Sequence, residues 1–213
     1  MTQPRGTDPR RLAIASGFGV AALFAAGNAL WGLLPPEGDA TPDQIVDFYA
    51  SRATGIVVGG CLSLVSMAVL VLFISAIRAL VAEHDDVLAA TGFAGGLLLA
   101  ATGVAAESIN MAGGLIAVDG QIDGAVAQSV WEIARAFGSY GSAVGLGVFA
   151  VATAAAALRS GVLRRGSAMA VGALGAAVLT PLSLLTVFPG AVMIAVLVLI
   201  SADLAWPRGM DGG

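Results

Sequence analysis

Apolar residues run along this chain in long, nearly uninterrupted blocks separated by short polar segments. A block of about 20 apolar residues crosses a bilayer as one α-helix, at about 1.5 Å per residue and about 30 Å of hydrocarbon. The blocks predict spans at 12–34, 55–80, 88–117 and 130–158. The last block, 167–205, is too long for one crossing. It contains Thr180-Pro181 and Phe188-Pro189-Gly190, and Pro-Gly is a turn dipeptide. Splitting it there gives two shorter spans, 167–187 and 190–206, with Pro181 a kink or helix end. The expected fold is all-α, a polytopic transmembrane bundle of six spans. The blocks do not alternate in polarity, so a membrane β-barrel is rejected.

The polar segments test that count. With the N-terminus inside, the cytoplasmic segments hold Arg5, Arg10, Arg11, Arg78, Arg159, Arg164, Arg165 and Arg208. The outer segments hold Arg52 with Glu37, Asp39, Asp43, Asp47, Asp119 and Asp123. Cytoplasmic loops concentrate basic residues, so both termini are expected inside. Residues 1–11 and 207–213 read as tails, and 12–206 as a single membrane domain. The first apolar run exceeds the 7–15 residues of a signal-peptide core, so it reads as an uncleaved span. Trp31 and Trp206 fall near span ends and suit an aromatic belt.

The first outer segment carries its own helix signal. Thr41 suits the N-cap, Pro42 the first position and Asp43 the first turn. Ile45, Val46, Phe48 and Tyr49 share one arc, opposite Gln44, Asp47 and Ser51. That pattern predicts a short amphipathic helix that lies on the outer surface or caps the bundle. The stretch Thr41-Pro42-Asp43-Gln44-Ile45-Val46-Asp47-Phe48-Tyr49 resembles a loop of small actinobacterial multi-pass membrane proteins of unassigned function. The Ala-rich stretch ending Leu158-Arg159-Ser160-Gly161-Val162-Leu163 strengthens the resemblance. Arg164-Arg165-Gly166 then departs from it, because a Pro and a Trp are expected there. The resemblance implies a six-helix membrane bundle and carries over no catalytic residue.

Composition agrees with the pattern. The chain is 58% hydrophobic and 11% charged, with mean hydropathy +0.91, against about 25% charged in soluble domains. All ten basic residues are Arg. That suggests a GC-rich bacterial genome and a cytoplasmic membrane location. Without Lys, no retinal-type or pyridoxal-type Schiff base can form. One Cys, Cys61, and one His, His84, offer neither a disulfide nor a multi-histidine metal site. No cofactor is proposed by any ligand pattern. A net charge of −4, spread over loops, does not suit nucleic acid.

Candidate chemistry lies where charge interrupts the apolar blocks. Charge at a span centre costs about 2.5–3.5 kcal/mol on insertion scales. Glu107 and Asn110 lie in the third block, and Glu132 and Arg135 in the fourth. They sit on stripes of small and polar residues at helical spacing. One stripe is Gly96, Ala100, Gly103, Glu107, Asn110 and Gly114; the other is Gln128, Glu132, Arg135, Ser139 and Ser142. Membrane helices pack through such residues. The two spans form an antiparallel hairpin, so the stripes are expected to face each other or a shared interior. Gly141 and Gly145 form one G-x-x-x-G, read as packing within the chain.

Two readings of the cluster stand. Arg135 bridges Glu107 and Glu132 and fixes the hairpin, or the four residues line an outward-facing pocket for a proton, cation or small polar ligand. At the level of the protein these correspond to two functions. One is a non-enzymatic binding, accessory or assembly protein with a membrane-protein partner or a second copy of itself. The other is a small transporter or channel component. An intramembrane enzyme is disfavoured, because the only His lies in a loop and no phosphate-binding loop is present.

Overall fold

The computed structural model describes residues 8–32, 40–180 and 189–206. All its regular elements there are helical: α1 (Pro9–Trp31), α2 (Pro42–Val81), α3 (Asp86–Val118), α4 (Gly124–Arg135), a π-helical segment (Ala136–Gly141), α5 (Ser142–Ser160), α6 (Arg165–Val178) and α7 (Pro189–Ala205). Four rods are long and apolar enough to cross a membrane: α1, α2, α3 and the continuous rod Gly124–Ser160. With 14 and 17 residues, α6 and α7 extend only about 21 and 26 Å.

Side-chain caps set most helix starts. Asp8, Asp85 and Asp123 accept from the N–H of Arg10, Leu88 and Val126 at 2.9, 3.0 and 2.8 Å. Thr41 and Gln44 form a reciprocal capping box at the start of α2, which satisfies two otherwise orphaned donors. Gly161 ends α5 in the left-handed region, φ 66°, a conformation that glycine adopts without steric cost.

Three boundaries differ from the expected ones. The amphipathic helix is not separate from the second span. It forms the first turns of the 40-residue α2, because nothing between Arg52 and Ile56 breaks a helix. Its apolar arc does not lie on a surface either: Ile45, Phe48 and Tyr49 are buried against Ala127 and Trp131 of α4. The fourth rod starts at Gly124, earlier than expected, and contains the π segment. Pro189-Gly190 opens α7 instead of turning the chain, since Pro fits a helix first turn. The break is upstream, after Val178. Pro181, like Arg5, Arg208, Glu37 and Asp39, lies outside the described residues.

The rods close into a ring. α2 packs between α1 and α3, α3 packs on α5, α5 on α6, α6 on α7, and α7 returns to α1. At the end holding Arg10, the basic end, Phe73 and Phe149 meet edge to face at 6.1 Å, surrounded by Ile74, Leu146 and Ile200. Seams between rods are glycine-tight. A Cβ on Gly95 would lie 2.6 Å from the Phe149 nitrogen, and one on Gly145 would lie 2.9 Å from the Gly95 oxygen. Such close backbone approach maximises dispersion contact, the main packing force where lipid is as apolar as the side chains. Gly141 presses on Thr102 in the same seam, so Gly141 and Gly145 do pack within the chain.

The α3 stripe faces a different neighbour than expected. A Cβ on Gly96, Gly103 or Gly114 would meet Ile74, Met67 or Ile56, all on α2. The seam with α5 uses Gly92, Gly95 and Thr102 instead. From the other stripe, Ser142 joins that seam, its hydroxyl 3.1 Å from that of Thr102.

Polar groups at the basic end tie helices together. Arg10 donates to the carbonyls of Leu204 and Trp206 at 2.8 and 3.1 Å, closing the C-terminus of α7. Asp203 accepts from the Arg164 N–H at 2.9 Å and the Ser167 hydroxyl at 2.8 Å, which caps α6. The Arg164 guanidinium covers the Trp206 ring at 5.2 Å. Asp85 pairs with Arg159 and so joins α3 to α5. The Leu88 N–H, with Arg159 beside it, holds the Asp85 carboxyl below its usual range.

Candidate functional site: a cavity inside the ring

At the opposite end, which holds Trp31, the described residues leave the ring interior unfilled. A cavity of about 480 Å³ lies there, between α1, α3, the α4–α5 rod and α7. That volume falls in the range of small-molecule pockets. Its deep wall is apolar, built from Met67, Leu99 and Met193, with Phe24 and Ile194 alongside. Glu107, Asn110 and Arg135 line it nearer the Trp31 end, with Ser139 and Ser142 on the far rod. From Leu99 to Asn110 the wall follows α3 for about 16 Å. Of the lining residues, Ala25 on α1 and Ala191 on α7 are exposed. α1 and α7 are ring neighbours, and these two positions are the exposed part of the lining.

Glu107 is the chemical centre of this cavity. Its residue exposure is 7%, and its Oε2 is buried without a hydrogen-bond partner. Native proteins pair nearly all buried polar atoms, and a lone carboxylate oxygen beside a cavity marks a place left for something else. Asn110, one turn further along α3, is better served. The buried Tyr49 hydroxyl donates to its Oδ1 at 2.9 Å, which orients the amide from the first turns of α2. Aromatic rings complete the wall. Trp131 lies edge to face with Phe48 at 6.0 Å, and Trp31 closes the end of α1. The Trp31 Nε1 is also buried and unpartnered, but its ring edge lies against Gly59 of α2.

No protein-family model, curated protein or solved structure matches this chain. The geometry therefore has to carry the functional reading alone.

The structure brings together three of the four sequence-chosen residues: Glu107, Asn110 and Arg135. Glu132 is not among them; it is exposed, as is Gln128 of the same stripe. Glu132 therefore lies outside the cavity that Glu107 and Arg135 share, and a single cluster with Arg135 bridging both acids is not what the lining shows. The cause is the helix phase. The inward face of the rod is Ala127, Trp131, Ala134 and Gly138, and Glu132 points about 100° away from it. Past Arg135 the π segment turns Ser139 and Ser142 back inward. There the Ser142 N–H reaches the Phe137 carbonyl five residues back, a local widening frequent at functional sites.

Tyr49, Trp31 and Trp131 were not chosen from sequence as site residues. Tyr49 and Trp131 carried a signal, since both are polar-tipped aromatics on apolar arcs. Nothing in one sequence said that the two arcs meet. Asn28 lines the cavity while donating to the Phe24 carbonyl of its own helix at 2.8 Å, a common bond for a polar residue inside a helix. Thr180 likewise donates to the Ala177 carbonyl.

Proposed function

We propose that this protein is a multi-pass protein of a bacterial cytoplasmic membrane that binds a small, largely apolar molecule in the cavity at Glu107. The chain crosses six times, with α6 and α7 as the short fifth and sixth spans, both termini cytoplasmic and the cavity in the outer half. The closed ring supports this topology, because α6 and α7 take full places in it. So does the gathering of Arg10, Arg11, Arg78, Arg159, Arg164 and Arg165 at one end. The proposed relatives are the small actinobacterial membrane proteins that the Thr41–Tyr49 stretch resembles.

The observation that carries the binding function is Glu107, a buried residue that lines an apolar cavity and whose Oε2 has no hydrogen-bond partner. A residue that served only to fix the α3–α5 hairpin would be paired. Binding fits both transport and ligand-dependent accessory roles, and it distinguishes them from a purely structural subunit. The exposure of Ala25 and Ala191 on neighbouring helices supports a mouth between them that faces sideways, with entry from the bilayer.

The test is native mass spectrometry of the protein released from lipid nanodiscs. The parent is expected to carry a bound small molecule. Ala191→Trp, at an exposed position in the mouth, is expected to lose it. A parent without any retained species, or a variant that retains it equally, would overturn the proposal.

A further inference from the structure

Resting on that binding function, the lining also says what kind of molecule enters. The cavity is graded along its length. Met67, Leu99 and Met193 form its deep part, toward the middle of the helices, while Glu107, Asn110 and Arg135 lie nearer the Trp31 end. A ligand that matches the gradient has an apolar chain pointing inward and a polar head pointing to the Trp31 end. A lipid of the adjacent leaflet has the same orientation, and the mouth between Ala25 and Ala191 faces sideways.

The head group follows from Glu107. A buried carboxyl gains most from a donor that also brings positive charge, because the pair then forms a charge-assisted hydrogen bond within the cavity. Arg135 lines the same cavity, but its side chain already has an interaction of its own. Asn110 is no substitute, since Tyr49 fixes its amide. Trp31 and Trp131 line the same end, and aromatic rings attract ammonium groups. An anionic head would forfeit both contacts.

We infer that the cavity selects single-chain amphiphiles with an ammonium head, seated with the nitrogen at Glu107 and the chain toward Met67, Leu99 and Met193.

Two of the three tryptophans, Trp31 and Trp131, line the cavity, whereas Trp206 lies at the far end. Intrinsic fluorescence in a Trp206→Phe background therefore reports on the cavity. The probes are decylamine, decanol, decanoate and the short, soluble propylamine, each titrated into protein in nanodiscs. Decylamine is expected to bind about tenfold or more tightly than decanol, the value of one charge-assisted hydrogen bond. Decanoate and propylamine are expected to bind more weakly still. Glu107→Gln should level decylamine with decanol and leave decanol unchanged. Decanol or decanoate binding as tightly as decylamine in the parent would overturn the head-group assignment and leave the binding function standing. Propylamine binding as tightly as decylamine would overturn the chain assignment alone. Saturable responses that survive Ala191→Trp, or none with any probe, would overturn both.

Discussion

The two ends of this helix ring treat buried polar groups in opposite ways. At the basic end, the Asp203 carboxylate, only 5% exposed, accepts a backbone N–H and a hydroxyl and lies beside Arg164. At the Trp31 end, Glu107 is similarly buried but its Oε2 has no partner. Both carboxylates sit on helices among apolar neighbours. The surroundings differ: Asp203 is enclosed by the groups it caps, and Glu107 borders empty space. A satisfied buried carboxylate holds its helices in place. An unsatisfied one beside a cavity does not. The contrast sets a helix-holding network at one end of the protein against the proposed binding cavity at the other.

The largest effect is expected at the satisfied end. Asp203→Ala would strand the Arg164 N–H and the Ser167 hydroxyl and remove the charge facing Arg164. Removing the acceptor that caps the first turn of α6 costs about 1–2 kcal/mol, read as a clear drop in melting temperature in nanodiscs. Asp203→Asn keeps an acceptor oxygen and should lose less. An Asp203→Ala protein as stable as the parent would mean that this network is ornamental, and the contrast would collapse from that side.

An intermediate effect is expected at the polar contact of the cavity wall that α2 supplies. Tyr49→Phe keeps the ring packed among Ile45, Phe48 and Trp131 and removes only the hydroxyl that Asn110 accepts. The expected loss is about 1 kcal/mol, the net value of a neutral hydrogen bond. The same change frees the Asn110 amide to turn, so amine selectivity in the cavity should fall together with stability. Unaltered selectivity would show that Asn110 takes no part in shaping the site.

How far these ends were legible in the sequence follows from the kind of signal each uses. Long apolar blocks and N-caps are local, so the helices and the starts of α2 and α3 could be read directly. Glu107 and Arg135 stood out because charge is rare in such blocks. The neighbours of Glu107 were less accessible. α3 carries glycines on two faces, Gly92 and Gly95 toward α5, and Gly96 and Gly103 toward α2. A stripe shows that a face packs, not what it packs on. Glu132 was chosen by extending a straight α-helical phase through residues 128–142, and the π segment at Ala136–Gly141 interrupts that phase. The two glycines and a serine there weaken α-helical preference, yet a π-helical turn has no sequence mark as distinct as a cap. Tyr49 belongs to the site only because α2 runs on without a break from the outer segment.

The smallest effect on stability, and the sharpest on the contrast, belongs to Glu107→Gln. Gln has nearly the same shape and loses only the capacity to ionise and one oxygen of a group whose Oε2 has no partner to miss it. Structural carboxylates show the opposite behaviour, since their replacement strands the donors they served. The expected change in stability of the ligand-free protein is therefore within about 0.5 kcal/mol, in either direction. Ligand stabilises by its affinity for the folded state alone. The thermal shift produced by decylamine should thus shrink in Glu107→Gln while the baseline melting temperature stays put. A variant that melts well below the parent without ligand would place Glu107 in the same class as Asp203, a residue that holds helices together, and the two ends would no longer differ in kind.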